Sequence, residues 1–411
     1  MLVLFRFKNY GPFREEACID MRAVKTYKEH PDNLIDPDAA NSYVKVASIY
    51  GANASGKSNF VDAYRTFSTI VRRSFTGNGK THDAETETLL SAYSYPFYFN
   101  LETFNTGTEF EGVYVENGVE YRYGFSFNRQ SIEYEWLYKK PLNTGRTSMI
   151  LERSPEDGLI LGSSIRRTLE KYKADIDEDV LALSFFSSLK LKTAVFSDTV
   201  KSITAILPWK RTIYSSREDI INVSLVDMDG EAKEHLMAFL NAIDIGIKDI
   251  RAERNINTKK VEIYTSHLDE DNSLVEVPLA IESDGTINAI ALYSMIRFAI
   301  DNNKGLIIDE INLQLHPLLF KYLVDLFTKD SKDAQLIYTT HDTTLLDKRY
   351  MRRDQVWFIE KNQKGESSLF SLAEFRVRND SSFEKDYLGG VYGAIPILSD
   401  FSFGEANDEE K

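Results

Sequence analysis

A short apolar run followed by a glycine-rich loop, residues 44–59, constrains the fold more than any other stretch of this sequence. The run from Val44 to Tyr50 is rich in β-branched residues and is typical of a buried strand. The loop from Gly51 to Asn59 fits the pattern G-x-x-x-x-G-K-[ST], in which successive backbone N–H groups bind phosphate oxygens. Apolar residues then recur at helical spacing. The sequence therefore predicts a strand, a phosphate-binding loop and a helix, in the order that this motif requires.

Each part of the loop has an expected role. The glycines let the backbone curl around phosphate, and the start of the helix adds partial positive charge. Lys57 is expected to reach the β- and γ-phosphates, and Ser58 to ligate Mg²⁺. A coincidental glycine-rich turn is the alternative, and the flanking strand and helix argue against it. The predicted nucleotide-binding residues here are Gly51, Asn53, Ala54, Ser55, Gly56, Lys57, Ser58 and Asn59.

Composition is that of a soluble globular protein with two or three domains. The chain has 411 residues, of which 43% are hydrophobic and 27% charged. It contains no apolar run of the roughly 18 residues that a membrane span needs, and its N-terminus is charged too early for a signal peptide. We therefore expect a cytoplasmic protein without membrane contact. The single cysteine excludes an internal disulfide, and the net charge of −14 disfavours a basic nucleic-acid-binding surface over the whole molecule.

The pattern of apolar residues divides the chain into three segments. Residues 1–145 contain strand-like stretches and an Asn117-Gly118 turn, which together predict an antiparallel sheet. Residues 146–250 mostly follow helical spacing and predict a helical insertion, or arm. Residues 251–411 begin with a hairpin and carry the remaining motifs.

Residues 304–317 predict a short strand that ends in two carboxylates, Asp309 and Glu310. A carboxylate at the end of such a strand can hold Mg²⁺ through water, so Ser58 and Asp309 are the predicted metal ligands. Glu310 is placed to polarise an attacking water. Without the loop at residues 51–59, a strand that runs out into a polar turn would be the better interpretation.

Two further features accompany this strand. Ser283-Asp-Gly285 opens an apolar helix, and Gly285 precedes Asp309 by 24 residues. Downstream, another predicted strand ends at His341, although a lone histidine in that position is more often structural. The order of all four features is more specific than any single one of them.

With these motifs the chain resembles the ABC-type ATPase heads of SMC, RecF and OLD proteins. The resemblance implies an α/β P-loop NTPase of ABC-ATPase type, with a mixed sheet, an antiparallel sheet and a mainly helical insertion. It divides the chain into lobe I (1–145), the insertion (146–250) and lobe II (251–411). ATP and Mg²⁺ are the implied cofactors. The implied assembly is a homodimer, or a higher homo-oligomer, with ATP held between two heads.

The same resemblance implies a role for each motif. Ser283 and Gly285 would form the signature motif and contact, in trans, the nucleotide held by the partner's loop. The implied catalytic residues are Lys57, Glu310 as the catalytic carboxylate and His341 as the γ-phosphate sensor. The signature departs from the double-glycine form of transporters, and no Q-loop glutamine is present in the region where one is expected, Phe97–Asn100.

A closer resemblance covers most of the chain. It is carried by three C-terminal segments, residues 354–361, residues 365–372 and the stretch from Tyr387 to Pro396. These segments are similar to the stand-alone ATPases of bacterial anti-phage systems of the Rlo and PARIS type. Such an ATPase commonly works with a separately encoded effector, often a Toprim-like nuclease, and responds to a trigger such as a phage protein or DNA. Only 70 residues follow His341, which is too few for a Toprim domain to fit easily.

We therefore expect an ATP-hydrolysing sensor or scaffold subunit of an anti-phage (abortive infection) system. One alternative is a RecF/SMC-like ATPase that acts on DNA in repair or recombination, marked by steeply salt-dependent DNA binding. Another is a non-catalytic scaffold, whose assembly would persist when Glu310 is mutated. No motif in the sequence recognises the base, so the preference for ATP over GTP rests on the resemblance.

Overall fold

Two large β-sheets organise the chain. The computed structural model describes residues 1–39, 41–75, 88–210, 230–243, 246–254, 261–378 and 381–396. Within these ranges one sheet has seven strands and another has six, beside smaller sheets of three and two strands. The predicted α/β class, with a mixed sheet and a separate antiparallel sheet, is confirmed.

The secondary structure elements are numbered in chain order. The strands are β1 (Leu2–Lys8), β2 (Ala17–Asp20), β3 (Leu34–Ile35), β4 (Tyr43–Val44), β5 (Val46–Tyr50), β6 (Thr108–Glu116), β7 (Val119–Phe127), β8 (Ile132–Pro141), β9 (Ser148–Ser154), β10 (Gly158–Leu161), β11 (Ile206–Trp209), β12 (Asp249–Arg254), β13 (Val261–Leu268), β14 (Leu274–Pro278), β15 (Gly305–Ile308), β16 (Leu336–Thr339), β17 (Val356–Lys361) and β18 (Ser367–Ser371). The helices are α1 (Lys57–Arg73), α2 (Leu89–Tyr93), α3 (Leu101–Phe104), α4 (Ser163–Leu169), α5 (Ala182–Ser188), α6 (Val195–Thr204), α7 (Gly230–Ala242), α8 (Asp284–Asp301), α9 (Pro317–Asp330) and α10 (Phe383–Leu388).

The six-stranded sheet has the order β11-β15-β16-β5-β17-β18. Its first five strands run parallel, and β18 pairs antiparallel with β17 at one edge. Strand β5 lies inside this sheet and all five of its residues are buried, as the apolar run from Val46 to Tyr50 predicts. Because a parallel sheet is covered on both faces, its strands carry continuous apolar runs instead of an alternating pattern.

The seven-stranded sheet is antiparallel throughout, in the order β10-β9-β8-β7-β6-β1-β2. The predicted hairpin between β6 and β7 turns at Asn117 and Gly118, whose φ angles are 50° and 73°. Two consecutive residues with positive φ are what a tight hairpin of the type I′ class requires.

Helix α1 lies between the two large sheets. Its aromatic side chains pack on the inner face of the antiparallel sheet, where the ring centroids of Phe5 and Tyr64 are 4.9 Å apart and those of Phe67 and Phe125 are 5.7 Å apart. A second core, on the opposite face of the six-stranded sheet, includes buried residues of α8 and α9. This layered packing fixes the start of α1 at the carboxyl ends of the parallel strands. None of the described helices is long and apolar enough to cross a bilayer.

The segment predicted as a helical arm, residues 146–250, differs from that expectation. Strands β9 and β10 extend the antiparallel sheet, and β11 joins the six-stranded sheet. Helices α4, α5 and α6 contribute buried apolar side chains to the core that surrounds α1. Their apolar faces therefore pack onto the head and do not project from it. Residues 211–229 of the predicted arm lie outside the described residues.

A buried carboxylate ties these helices to the antiparallel sheet. Glu135 on β8 is 1% exposed, and it accepts hydrogen bonds from the backbone N–H groups of Ala182 (2.8 Å) and Leu183 (2.9 Å) at the start of α5. The hydroxyl of Tyr123 donates to the same carboxylate at 2.9 Å. Burial raises the pKa of Glu135. The three hydrogen-bond donors stabilise the charged carboxylate and so oppose part of that rise.

Candidate nucleotide-binding site

Several predicted site residues lie at the carboxyl ends of the parallel strands in the six-stranded sheet. Parallel strands end on the same side, and β5, β15 and β16 are neighbours, so the residues that follow them come together. These residues are the loop from Gly51, the pair Asp309-Glu310, and His341. These groups lie near enough to interact: the negative charges of Glu310 and Asp309 act to raise the pKa of both Lys57 and His341, against the larger effect of burial.

The phosphate loop has a backbone that depends on its glycines. A Cβ atom at Gly51 would lie 2.4 Å from the carbonyl oxygen of Ile359 on β17 and 2.7 Å from the hydroxyl of Ser55. Gly56 has a φ of 119° immediately before α1, a conformation that residues with a side chain rarely adopt. The loop therefore curls tightly from the end of β5 into the start of α1.

Lys57, the first residue of α1, folds back along this loop. Its Nζ donates hydrogen bonds to the carbonyl oxygens of Gly51 (2.8 Å) and Ala52 (3.0 Å). Burial lowers the pKa of Lys57 to about 8, an effect that the nearby carboxylates of Glu310 and Asp309 partly offset. The ammonium group thus lies within the loop itself, partly desolvated.

The donors around the loop fit a bound phosphate chain and a magnesium ion. The hydroxyl of Ser55 is buried and has no hydrogen-bond partner among the described residues. The N-terminus of α1 and the ammonium of Lys57 add further donors and positive charge. Ser58 at the start of α1 and Asp309 after β15 supply the oxygen ligands that Mg²⁺ prefers. The residues present therefore suit Mg-ATP in chemical type.

A buried threonine fixes the two carboxylate residues after β15. The hydroxyl of Thr339 donates to Asp309 Oδ1 at 2.7 Å and accepts the backbone N–H of Glu310 at 2.8 Å. Thr339 is fully buried and Asp309 is 6% exposed. One hydroxyl therefore orients the predicted metal ligand and the predicted catalytic residue together.

Glu310 and His341 face each other across the ends of β15 and β16. His341 Nε2 lies 3.9 Å from Glu310 Oε1, and both side chains are about two-fifths exposed. Glu310 has a φ of 48°, the left-handed region that a non-glycine residue adopts only under constraint. Burial, followed by the positive charge of Lys57, lowers the pKa of His341, so the imidazole is favoured in its neutral form.

The next threonine, Thr340, anchors the turn that follows Glu310. Its hydroxyl donates to Asn312 Oδ1 at 2.7 Å and accepts the backbone N–H of Asp342 at 3.0 Å. Sequence reasoning did not identify Thr339 or Thr340, although the Thr-Thr pair directly before His341 was a visible signal.

The signature residues lie at the start of α8, beside the same turn. Ser283 caps the helix, accepting the N–H of Thr286 at 3.1 Å, and Gly285 is the second helical residue. Asp284 accepts a hydrogen bond from Gln314 Nε2 at 2.9 Å. The single chain thus places the signature against the turn that follows Glu310.

The region expected to hold the Q-loop, Phe97–Asn100, packs beside the turn that follows β1. Phe97 is buried and its N–H donates to Asn9 Oδ1 at 2.9 Å, while Asn100 caps α3. The strand that flanks β15 is instead β11, which ends at Trp209. The residues next to Asp309 on that side therefore come from the segment that was predicted to be a helical arm.

The sequence matches one protein family over residues 46–347, well over half of the chain. That family is described as "AAA domain, putative AbiEii toxin, Type IV TA system". No curated protein shows significant similarity to the sequence.

Among solved structures, the chain is similar to SMC head domains. The SMC head domain from Thermotoga maritima has a TM-score of 0.40 and 15% identity, covering 92% of this chain and 99% of that one. The Smc head of Pyrococcus furiosus, with an extended coiled coil and bound to the C-terminal domain of ScpA, has a TM-score of 0.39 and 14% identity, covering 95% and 99%.

Proposed function

The chain belongs to this AAA-domain family, and we propose that it is an ABC-type ATPase that binds Mg-ATP and hydrolyses it. The observation that carries the proposal is the meeting of Lys57, Asp309, Glu310 and His341 at one edge of the parallel strands. A cation that holds the phosphates, a carboxylate that holds the metal and a polar group that orients the attacking water are recurring parts of P-loop phosphoryl-transfer sites.

Each residue has a distinct proposed task. The loop amides, Ser55 and Lys57 bind and orient the phosphates. Holding the phosphates in a reactive geometry lowers the entropic part of the barrier to hydrolysis. Ser58 and Asp309 would hold Mg²⁺, which would supply positive charge to neutralise the phosphate oxygens. Glu310, held by Thr339, accepts a hydrogen bond from the attacking water, and His341 beside it contacts the γ-phosphate.

The signature residues act, in this proposal, on a nucleotide held by a second copy of the chain. Ser283 and Gly285 stand at the N-terminal end of α8, where exposed backbone N–H groups favour an anionic oxygen. Two heads would then close on two nucleotides with two-fold symmetry, so that each site is completed by the partner.

At the level of biology, we propose a cytoplasmic ATPase subunit of a bacterial anti-phage system that switches a separately encoded effector. Two observations support this role. The description of the matching family names a toxin of a type IV TA system. The C-terminal stretch from Tyr387 to Pro396 resembles the stand-alone ATPases of such systems.

The test is ATP turnover by the purified chain, with DNA cleavage assayed on the same samples. Lys57→Ala should abolish ATP binding, and Glu310→Gln should retain binding but lose turnover by a factor of at least about 100, the scale of a catalytic base. Lys190→Gln, at an exposed lysine, is the control that should leave both unchanged. Normal turnover by Glu310→Gln would contradict the role of Glu310, and DNA cleavage by the chain alone would contradict a separate effector.

A further inference from the structure

The end of β11 brings a lysine to the nucleotide site that no motif identifies. Trp209 is in register with Ile308 on β15, and the N–H of Asp309 donates to the carbonyl oxygen of Trp209 at 3.0 Å. Lys210 is therefore the first residue beyond the strand, at the same edge and beside the point where Asp309 leaves β15. Ligands of open parallel sheets bind at this edge of the strands.

The side chain of Lys210 reaches from there to α1. Its Nζ forms a short ion pair with Asp62 Oδ2, and the two side chains are 26% and 15% exposed. Asp62 follows Ser58 by four residues, so the two lie on the same face of the helix. A rise of four residues, about 6 Å, separates them along the helix axis. The backbone of Lys210 thus lies beside Asp309, and its side chain contacts the helix that carries Ser58.

Asp62 does not depend on Lys210 alone. Its other oxygen, Oδ1, is 2.9 Å from Arg65 Nη2, an ion pair between residues three apart on the same helix. Loss of the Lys210 contact would therefore leave the carboxylate paired. A lysine on a flexible four-carbon stem can exchange one anionic partner for another at little cost in geometry.

We propose that Lys210 is a second phosphate-binding cation of the nucleotide site, for which Asp62 and the phosphate oxygens of the nucleotide compete. The proposal rests on the proposed function, since it assumes a nucleotide at the loop of residues 51–59. Lys210 binds phosphate as a point charge, on the side of the site opposite to His341 in the order of the strands, because β15 lies between β11 and β16.

The rival explanation is a purely structural ion pair between Lys210 and Asp62. The two explanations predict opposite effects on nucleotide affinity when the charge of Asp62 is removed. If the pair only holds the fold together, removing either partner weakens nucleotide binding or leaves it unchanged. If Asp62 competes with phosphate for Lys210, removing Lys210 weakens binding, and removing the charge of Asp62 strengthens it. The gain from the Asp62 change must also disappear when Lys210 is absent.

The experiment is a double-mutant cycle on ATP affinity, measured by calorimetry with the full chain and Mg²⁺. We expect Lys210→Gln to weaken ATP binding about tenfold, the effect of one hydrogen bond to a charged group. Lys210→Arg, which keeps the positive charge, should retain most of the ATP affinity of the natural chain. Asp62→Asn should strengthen binding several-fold in the natural chain and have no effect in the Lys210→Gln background.

Two results would overturn the proposal. One is a loss of affinity, or no change, with Asp62→Asn while thermal unfolding shows an intact fold. The other is an equal gain from Asp62→Asn in both backgrounds, which would indicate general repulsion by the carboxylate. The variant Lys57→Ala separates these outcomes from a failure of the proposed function: if the natural chain and Lys57→Ala bind ATP equally, the nucleotide site itself is wrong.

Discussion

The charge of Lys57 depends on pH near neutrality because the residue is buried in its own loop. With a pKa of about 8, the free protein carries a protonated lysine below that pH and a neutral one above it. Phosphate binds the ammonium form, so above pH 8 ATP binding must be coupled to proton uptake. The apparent affinity for ATP should therefore fall as pH rises.

We predict a roughly tenfold loss of ATP affinity between about pH 7 and about pH 9, from the fraction of Lys57 that remains protonated. Calorimetry in two buffers with different ionisation enthalpies would measure the proton uptake directly. Lys57→Arg keeps its charge throughout this range and is the matched control. An unchanged affinity across the range, with no proton uptake, would show that Lys57 is charged in the free protein.

At the scale of single residues, the sequence predicted the positions of residues that belong to a local motif. Lys57 and Asp309 are fixed by a strand and the few residues that follow it, so their meeting follows from the order of the parallel strands. Thr339 and Lys210 have no such signal. Thr339 acts through a hydrogen bond between the ends of two neighbouring strands. Lys210 acts through an ion pair with Asp62, which is 148 residues away in sequence. Only the tertiary structure brings these partners together.

Helix α8 combines a structural and a proposed functional role in one residue. Ser283 accepts the N–H of Thr286 as the helix cap, and its hydroxyl also lies 2.9 Å from the hydroxyl of Thr286. Loss of such a cap costs about 1 kcal/mol of stability, whereas asparagine at this position caps nearly as well as serine. Substitution by alanine and by asparagine therefore separates the two roles.

We predict that Ser283→Ala lowers the free energy of unfolding by about 1 kcal/mol, and that Ser283→Asn changes it by much less. In the Glu310→Gln background, where a stable dimer is expected, both changes should abolish ATP-dependent dimerisation, because both remove the hydroxyl from the proposed trans contact. Chemical denaturation and size measurement with ATP would record the two effects. Normal dimerisation by Ser283→Asn would mean that the hydroxyl takes no part in contact with the partner's nucleotide.

Strand β11 shows why one element escaped prediction. It contains Pro208, and a proline within a run normally argues against a strand because it cannot donate to the ladder. The strand lies at the edge of the six-stranded sheet, where one side needs no partner, so the proline is tolerated. The helical spacing on its N-terminal side then extended the predicted arm over it. The longer elements, such as α1 and α8, carry unambiguous apolar patterns and were predicted correctly.

The net charge of the whole molecule opposes the association of two heads. Each chain carries a formal charge of −14, so two copies repel at long range before any contact forms. Salt shortens the range of this repulsion: the Debye length falls from about 30 Å in dilute buffer to about 8 Å at physiological ionic strength. Closure of two heads should therefore not weaken as salt rises. A DNA clamp of the RecF kind behaves in the opposite way, because phosphate contacts release counterions and lose affinity steeply with salt.

We predict that ATP with Mg²⁺ converts the Glu310→Gln variant from a monomer to a stable dimer. The dimer completes both nucleotide sites, and the variant cannot hydrolyse the ATP that holds it together. Light scattering across the same range of salt should show a dimer fraction that stays constant or increases. Natural chain with ATP should dimerise only transiently, and Lys57→Ala should remain monomeric under all conditions. A Glu310→Gln assembly that forms without ATP would favour a scaffold in which hydrolysis has no part. Binding to duplex DNA that falls steeply with salt while the protein dimerises would instead place the chain among ATPases that act on DNA.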